Sequence, residues 1–279
     1  MDTAFADGSE PRIIYSDDEL LVVYKPRRLH TAPLAAAAGG PDLASWVFER
    51  FPGAAALAGP EGGLVHRLDF ETSGLVLFAL TPEALGALRA EQEADSIRKE
   101  YLLRASPASP LAGLPGSRPD RGRPTGIGAS AWDEALLASP PDGAAAIARL
   151  IEAAAAQGSG PEIRCRFRTY GPASARVACI GEGEDGPRGR HRRGSPERLY
   201  RTEILSARAC PEAGAGAVEC RVSITRGFRH QIRAHFAWLG LPLLGDAAYG
   251  GFPGDRLYLR ACAIELDSIR AGGRLRFEA

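Results

Sequence analysis

The chain has 279 residues and a formal net charge of zero, long enough for one large domain or two small ones. Its 45% hydrophobic and 24% charged residues exclude a disordered chain, and no apolar run approaches the roughly 20 residues that span a bilayer. Met1 to Asp7 lacks the basic-then-apolar pattern of a secretion signal, so a cytoplasmic protein with no membrane contact is expected.

Residues 1–12 read as a tail. Ile13-Ile14-Tyr15 and Leu20-Leu21-Val22-Val23-Tyr24 are β-prone runs on either side of a turn-like Ser16-Asp17-Asp18-Glu19, and Lys25-Pro26 closes the second. Alanine, glycine and proline dominate from Leu34 to Gly63, with one amphipathic piece, Leu43 to Phe48, that suits a short helix. Leu64 to Gly74 then reads as a loop leading into a buried strand, Leu75 to Leu80. Thr81-Pro82-Glu83 offers an N-cap, a first-turn proline and a first-turn acid, which predicts a helix over Pro82 to Asp95. Tyr101 to Arg104 resumes as strand.

From about residue 106 to 160 the composition turns to alanine, glycine, proline and serine, which predicts a partly disordered, low-complexity insertion with one helix over Ala144 to Ala156. Leu150 and Ile151 would dock that helix on the main body. Ile163 to Tyr170, Arg176 to Ile180, Tyr200 to Ala207 and Val218 to Thr225 alternate as half-buried strands do. Arg229 to Leu239 is predicted as a helix, with Ile232, Phe236 and Leu239 on one face and Gly240 as its stop. The result is an α+β domain over 13–279 with a mixed or antiparallel sheet, flanking helices and loops, interrupted by the insertion.

Five cysteines, an odd number with no CxxC spacing, fit free thiols in a reducing compartment better than a disulfide framework. The positive charge is almost all arginine and is clustered: Arg188, Arg190, Arg192, Arg193, Arg198 and Arg201 in one stretch, Arg221, Arg226, Arg229 and Arg233 in another. A neutral protein can therefore carry a locally basic surface that suits phosphate.

Three constellations carry chemistry. His66-Arg67-Leu68-Asp69 places an acid in a loop before Thr72-Ser73-Gly74, a turn-forming segment; alone, such spacing is more often an ordinary Arg–Asp ion pair or an Asx turn. Lys99-Glu100-Tyr101 opens a strand with an aromatic that can stack on a base, although a lone tyrosine is more often core. Thr225 to His235 packs Arg226, Arg229, Arg233, His230, His235 and Phe228 together, suited to phosphate binding and base stacking, and Gly245-Asp246-Ala247-Ala248-Tyr249-Gly250 follows. His230 and His235 lie five apart, not the four that aligns two ligands on a helix, so no metal is expected.

In this order the segments resemble the large-subunit-type family of RNA pseudouridine synthases, the group with an HRLD sequence followed by TSG. Val22 to Pro26 and Tyr200-Arg201-Thr202-Glu203-Ile204-Leu205 extend the match over most of the chain. The resemblance implies a catalytic domain whose central sheet is split by an active-site cleft, and a reaction without cofactor or metal. It implies Asp69 as the catalytic carboxylate, Tyr101 stacked on the target uracil, Arg233 paired with that aspartate, and Arg67 filling the space the base leaves. His66, Arg229 and His230 fall at motif positions among the substrate-binding residues. The chain departs from the pattern at Phe70-Glu71, where a basic residue usually follows the aspartate, at Arg27-Arg28, and at Arg260, where histidine is common.

Isomerisation breaks the C1′–N1 bond, turns the uracil and rejoins it through C5. An ionised carboxylate suits this, either at C1′ or by removing the C2′ proton, and the sequence does not choose between them. The expected partner is ribosomal or transfer RNA, bound by the catalytic domain itself; a monomer suffices. A non-catalytic RNA-binding or ribosome-assembly protein that keeps the fold is the alternative. A glycoside hydrolase using Asp69 and Glu71 fits poorly, because residues two apart on an extended segment share a side and do not face each other across a sugar.

Overall fold

The computed structural model describes residues 5, 8–33, 40–57, 61–107, 122–158, 160–172, 175–181, 198–214, 216–269 and 272–279. It divides the chain into two compact units, Met1–Tyr101 with Leu259–Ala279, and Leu102–Tyr258. No helix among the described residues is long and apolar enough to cross a membrane.

In the first unit the two expected β-prone runs, β1 (Arg12–Ser16) and β2 (Leu20–Lys25), pair as an antiparallel hairpin, and β2 pairs antiparallel with β3 (Ser73–Ala79). The chain leaves this unit through β4 (Arg98–Ala105) and returns in β9 (Leu259–Asp267), which lies parallel to β3 at Ser73 and Gly74 and antiparallel to β10 (Arg274–Glu278). That parallel step makes the sheet mixed. Leu20, Val22, Leu75, Leu77, Ile264 and Leu266 point to one face and bury themselves under Leu85 and Leu88 of α3 (Pro82–Glu93). Full burial of each such side chain contributes roughly 1.5–3 kcal/mol. The helix starts where the sequence says: the Thr81 hydroxyl accepts from the Ala84 N–H at 3.1 Å. Two short helices, α1 (Leu43–Arg50) and α2 (Pro52–Ala55), precede β3, and Asp42 caps the first by accepting from the Ser45 N–H at 2.8 Å.

In the second unit the strands run β8-β7-β5-β6, with β5 (Glu162–Tyr170) antiparallel to both β6 (Arg176–Ile180) and β7 (Tyr200–Ala209), and β7 antiparallel to β8 (Val218–Ile224). Of the expected insertion, residues 108–121 and 159 lie outside the described residues. The rest forms two helices, α4 (Ala129–Leu137) and α5 (Pro140–Ala155), the second packed on β7 with Ile147 and Ile151 fully buried. Trp132 of α4 is also fully buried and donates from its indole N–H to the Leu239 carbonyl at 3.3 Å. Helix α6 (Gln231–Trp238) ends as expected at Gly240, φ 83°, where the Leu241 N–H reaches the Phe236 carbonyl and the Gly240 N–H that of Ala237. The sequence reading did not find α2, α4, β9 or β10.

Candidate active site

His66 to Thr72 is a loop that feeds β3, and it is held from outside at the Leu68 N–H, the Leu68 carbonyl and the Phe70 carbonyl. The His66 Nε2 accepts from the Leu77 N–H at 3.3 Å. Burial, and after it the Lys99 charge, draw the imidazole down from 6.5 to about 3, so it is neutral at physiological pH and fit for that acceptor role. Thr31 grips the next turn: its hydroxyl donates to the Leu68 carbonyl at 2.8 Å and accepts from the Leu68 N–H at 3.1 Å. Asp69 follows, half-buried, and its own carbonyl accepts from the Thr72 N–H at 3.1 Å, closing a tight turn.

A second segment braces that turn. The fully buried Lys25 ammonium donates to the carbonyls of Pro26 and Leu29 at 3.0 and 2.8 Å and reaches that of Phe70 at 3.5 Å, while the Arg28 N–H donates to Phe70 at 2.7 Å. The Phe70 ring packs on His30, centroids 4.5 Å apart, so the apolar residue that replaces the usual basic one has a local partner. Arg260, the other notable departure, lies over the Tyr24 ring at 5.5 Å. Gly74, φ 121°, is needed where it stands, because a Cβ there would come within 2.1 Å of the Ala261 carbonyl oxygen on β9.

Within the same unit Tyr101 is only 6% exposed. Burial, then the Asp69 carboxylate and then Cys262 raise its hydroxyl far above the usual phenol range. The structure thus brings Asp69 and Tyr101, two of the expected site residues, into electrostatic range. Arg67 points away from the core, exposed, and pairs with Glu61.

The other expected residues lie in the second unit at the start of α6. Arg229 is exposed, and His230 begins the helix at φ 55°, its Nδ1 3.1 Å from the Tyr249 hydroxyl. Arg233 forms a two-pronged pair with Asp246, Nε to Oδ2 at 2.7 Å and Nη2 to Oδ1 at 2.8 Å, with its guanidinium 5.2 Å from the Tyr249 ring centre. Such a fork fixes the plane of the guanidinium. Gln231 locks the helix start by accepting from the Phe228 N–H at 2.9 Å and donating to the Arg201 carbonyl at 2.8 Å. Of the first basic stretch, Arg188, Arg190, Arg192 and Arg193 lie outside the described residues, whereas Arg198 and Arg201 are described and exposed.

Sequence reasoning assigned no role to Thr31, Lys25 or Asp246. The last two had a local cue, since Lys25-Pro26 and Gly245-Asp246 belong to segments already singled out; Thr31 acts across 37 residues and leaves no periodicity to read.

The model of the family described as RNA pseudouridylate synthase matches residues 19–238. A Xanthomonas campestris protein named ribosomal large subunit pseudouridine synthase D is 28% identical over 241 residues, 86% of this chain and 51% of its own. Its namesake from Pasteurella multocida is 27% identical over 255 residues, 90% of this chain and 57% of its own. The chain spans about half the length of these curated relatives. Among solved structures, human RNA Pseudouridylate Synthase Domain Containing 1 matches with a TM-score of 0.56 at 18% identity, covering 97% of this chain and 85% of that one, a likeness of fold. With the family's model covering most of its length, this chain belongs to the RNA pseudouridine synthase family.

Proposed function

We propose that the protein isomerises uridine to pseudouridine in large-subunit ribosomal RNA, in the cytoplasm, with Asp69 as the catalytic carboxylate. The observation that carries the reading is the Asp69 turn: a half-buried carboxylate on a backbone fixed by Thr31, Lys25 and Arg28, within electrostatic range of the buried Tyr101. Fixing the carboxylate before substrate arrives removes reorganisation from the chemical step. Asp69 acts on the ribose at C1′ or C2′, and Tyr101 offers its face to the flipped uracil. Arg67 takes the vacated place in the stack, partly offsetting an unstacking cost of a few kcal/mol. Arg233, oriented by Asp246, is the proposed counter-charge for the carboxylate, and Arg229 and His230 are proposed RNA contacts. The names of the relatives point to ribosomal RNA as the substrate class.

The test is Asp69→Asn, measured by tritium release from RNA labelled at uracil C5. Turnover is expected to fall by more than about a thousandfold, as for loss of a covalent or general-base group, while RNA affinity stays within about threefold. Retained turnover overturns the assignment of Asp69. A wild-type chain that binds ribosomal RNA and releases no tritium would instead favour a non-catalytic protein of this fold, for which the replacements at Phe70 and Arg260 speak.

A further inference from the structure

Away from the Asp69 loop, the second unit gathers three soft donors. The sulfurs of Cys165 and Cys179 and a ring nitrogen of His235 all lie within 4.8 Å of one another. They come from three elements: Cys165 from β5, Cys179 from β6 and His235 from α6. The strand register explains the first two. Cys179 is opposite Phe167, so Cys165, two residues earlier on β5, shares its face of the sheet. Helix α6 covers that face, and the fully buried His235 sets Nε2 3.1 Å from the Cys165 sulfur.

We propose that Cys165, Cys179 and His235 bind a thiophilic divalent cation, zinc in the first instance, with water as the fourth ligand. Two thiolates and an imidazole are a donor set that favours tetrahedral zinc over magnesium or calcium. Bonds of about 2.3 Å to sulfur and 2.0 Å to nitrogen put tetrahedral donors roughly 3.5–3.8 Å apart. The Cys165–His235 approach of 3.1 Å would open by about half an ångström to reach that spacing, and the two separations to Cys179, both within 4.8 Å, lie in reach of side-chain rotation. Two thiolates also cancel the charge of the ion, so a buried site carries no net charge. The histidine already has the orientation of a ligand, since its Nδ1 lies 2.8 Å from the Thr202 hydroxyl, and with the proton on Nδ1 the Nε2 lone pair faces the sulfur. Phe167, centred 5.0 Å from the imidazole, shields one side. Binding releases the thiol protons and ties α6 to β5 and β6. Arg233 sits two residues before His235 on that helix, so the ion would also hold in place the helix that presents Arg233.

The experiment uses the full chain, reduced and freed of metal, titrated with Zn²⁺ or Co²⁺ alone. Expected are one zinc per chain by elemental analysis and a sulfur-to-cobalt charge-transfer band, with zinc affinity weakened more than about tenfold in Cys179→Ser and in Cys165→Ser and unchanged in Cys262→Ser. A wild-type chain that binds neither ion, or binds cobalt without that band, overturns the proposal. So does binding that is equally tight in both serine variants. Where a serine variant fails to fold by circular dichroism, the wild-type cobalt spectrum decides alone.

Discussion

The Tyr101 hydroxyl is under three pressures of the same sign: burial disfavours the phenolate by removing water, and the Asp69 carboxylate and then Cys262 add like-charge repulsion. All keep the phenol protonated at any pH where the enzyme would work, so Tyr101 is poorly suited to give up a proton. In the proposed mechanism its flat face is the part that acts. Tyr101→Phe is therefore expected to keep turnover within about threefold, with an unchanged pH profile. Tyr101→Leu removes base stacking worth roughly 1–3 kcal/mol and should slow tritium release about 5- to 150-fold. A phenylalanine variant as slow as the leucine one would mean that the hydroxyl takes part in the chemistry.

Elements with a local cause were legible in the sequence. Thr81-Pro82-Glu83 marked the start of α3, and Gly240 the end of α6, because caps and stops act within a few residues. The closing strand β9 was not legible: its first six residues are all buried, so it lacks the polar alternation that identifies half-buried strands. Helix α4 sits in an alanine-rich stretch that resembles low complexity until Trp132 is seen buried. The sequence singled out Asp69 as a candidate, and the structure adds a frame around it that the sequence did not show. Thr31 contributes its frame through two bonds to one residue, Leu68, and both are lost in Thr31→Val, a change that keeps the shape. Leaving that buried N–H and C=O unsatisfied costs about 1–3 kcal/mol each when water cannot replace the hydroxyl. The expected outcome is a drop of this order in unfolding free energy by urea titration, with a lower kcat and little change in KM, because the loop carrying Asp69 loosens. Thr31→Ser should restore both. A valine variant with unchanged kcat would show that the Asp69 turn is set by Lys25 and Arg28 without Thr31.

For the whole molecule, a net charge of zero means that RNA is attracted by local fields and not by the protein's total charge. The arginines of the second unit supply such a field: Arg198, Arg201 and Arg229 are exposed and Arg226 is half-buried, all flanking the start of β7 or of α6. A cation that binds phosphate releases condensed counterions, so it is recognised by salt dependence before it is recognised by affinity. Each phosphate contact to single-stranded RNA contributes about 0.7 to the negative slope of log K against log salt concentration. Arg229→Ala should therefore weaken RNA binding at low salt and flatten that slope by roughly 0.7, and should do so for any RNA sequence, since phosphates carry no base identity. Asp69→Asn should leave the slope where it was, because an acid inside the site is not a phosphate contact. Fluorescence-anisotropy titrations over a salt series separate the two. An Arg229→Ala chain with the wild-type slope would move the phosphate-binding face away from α6.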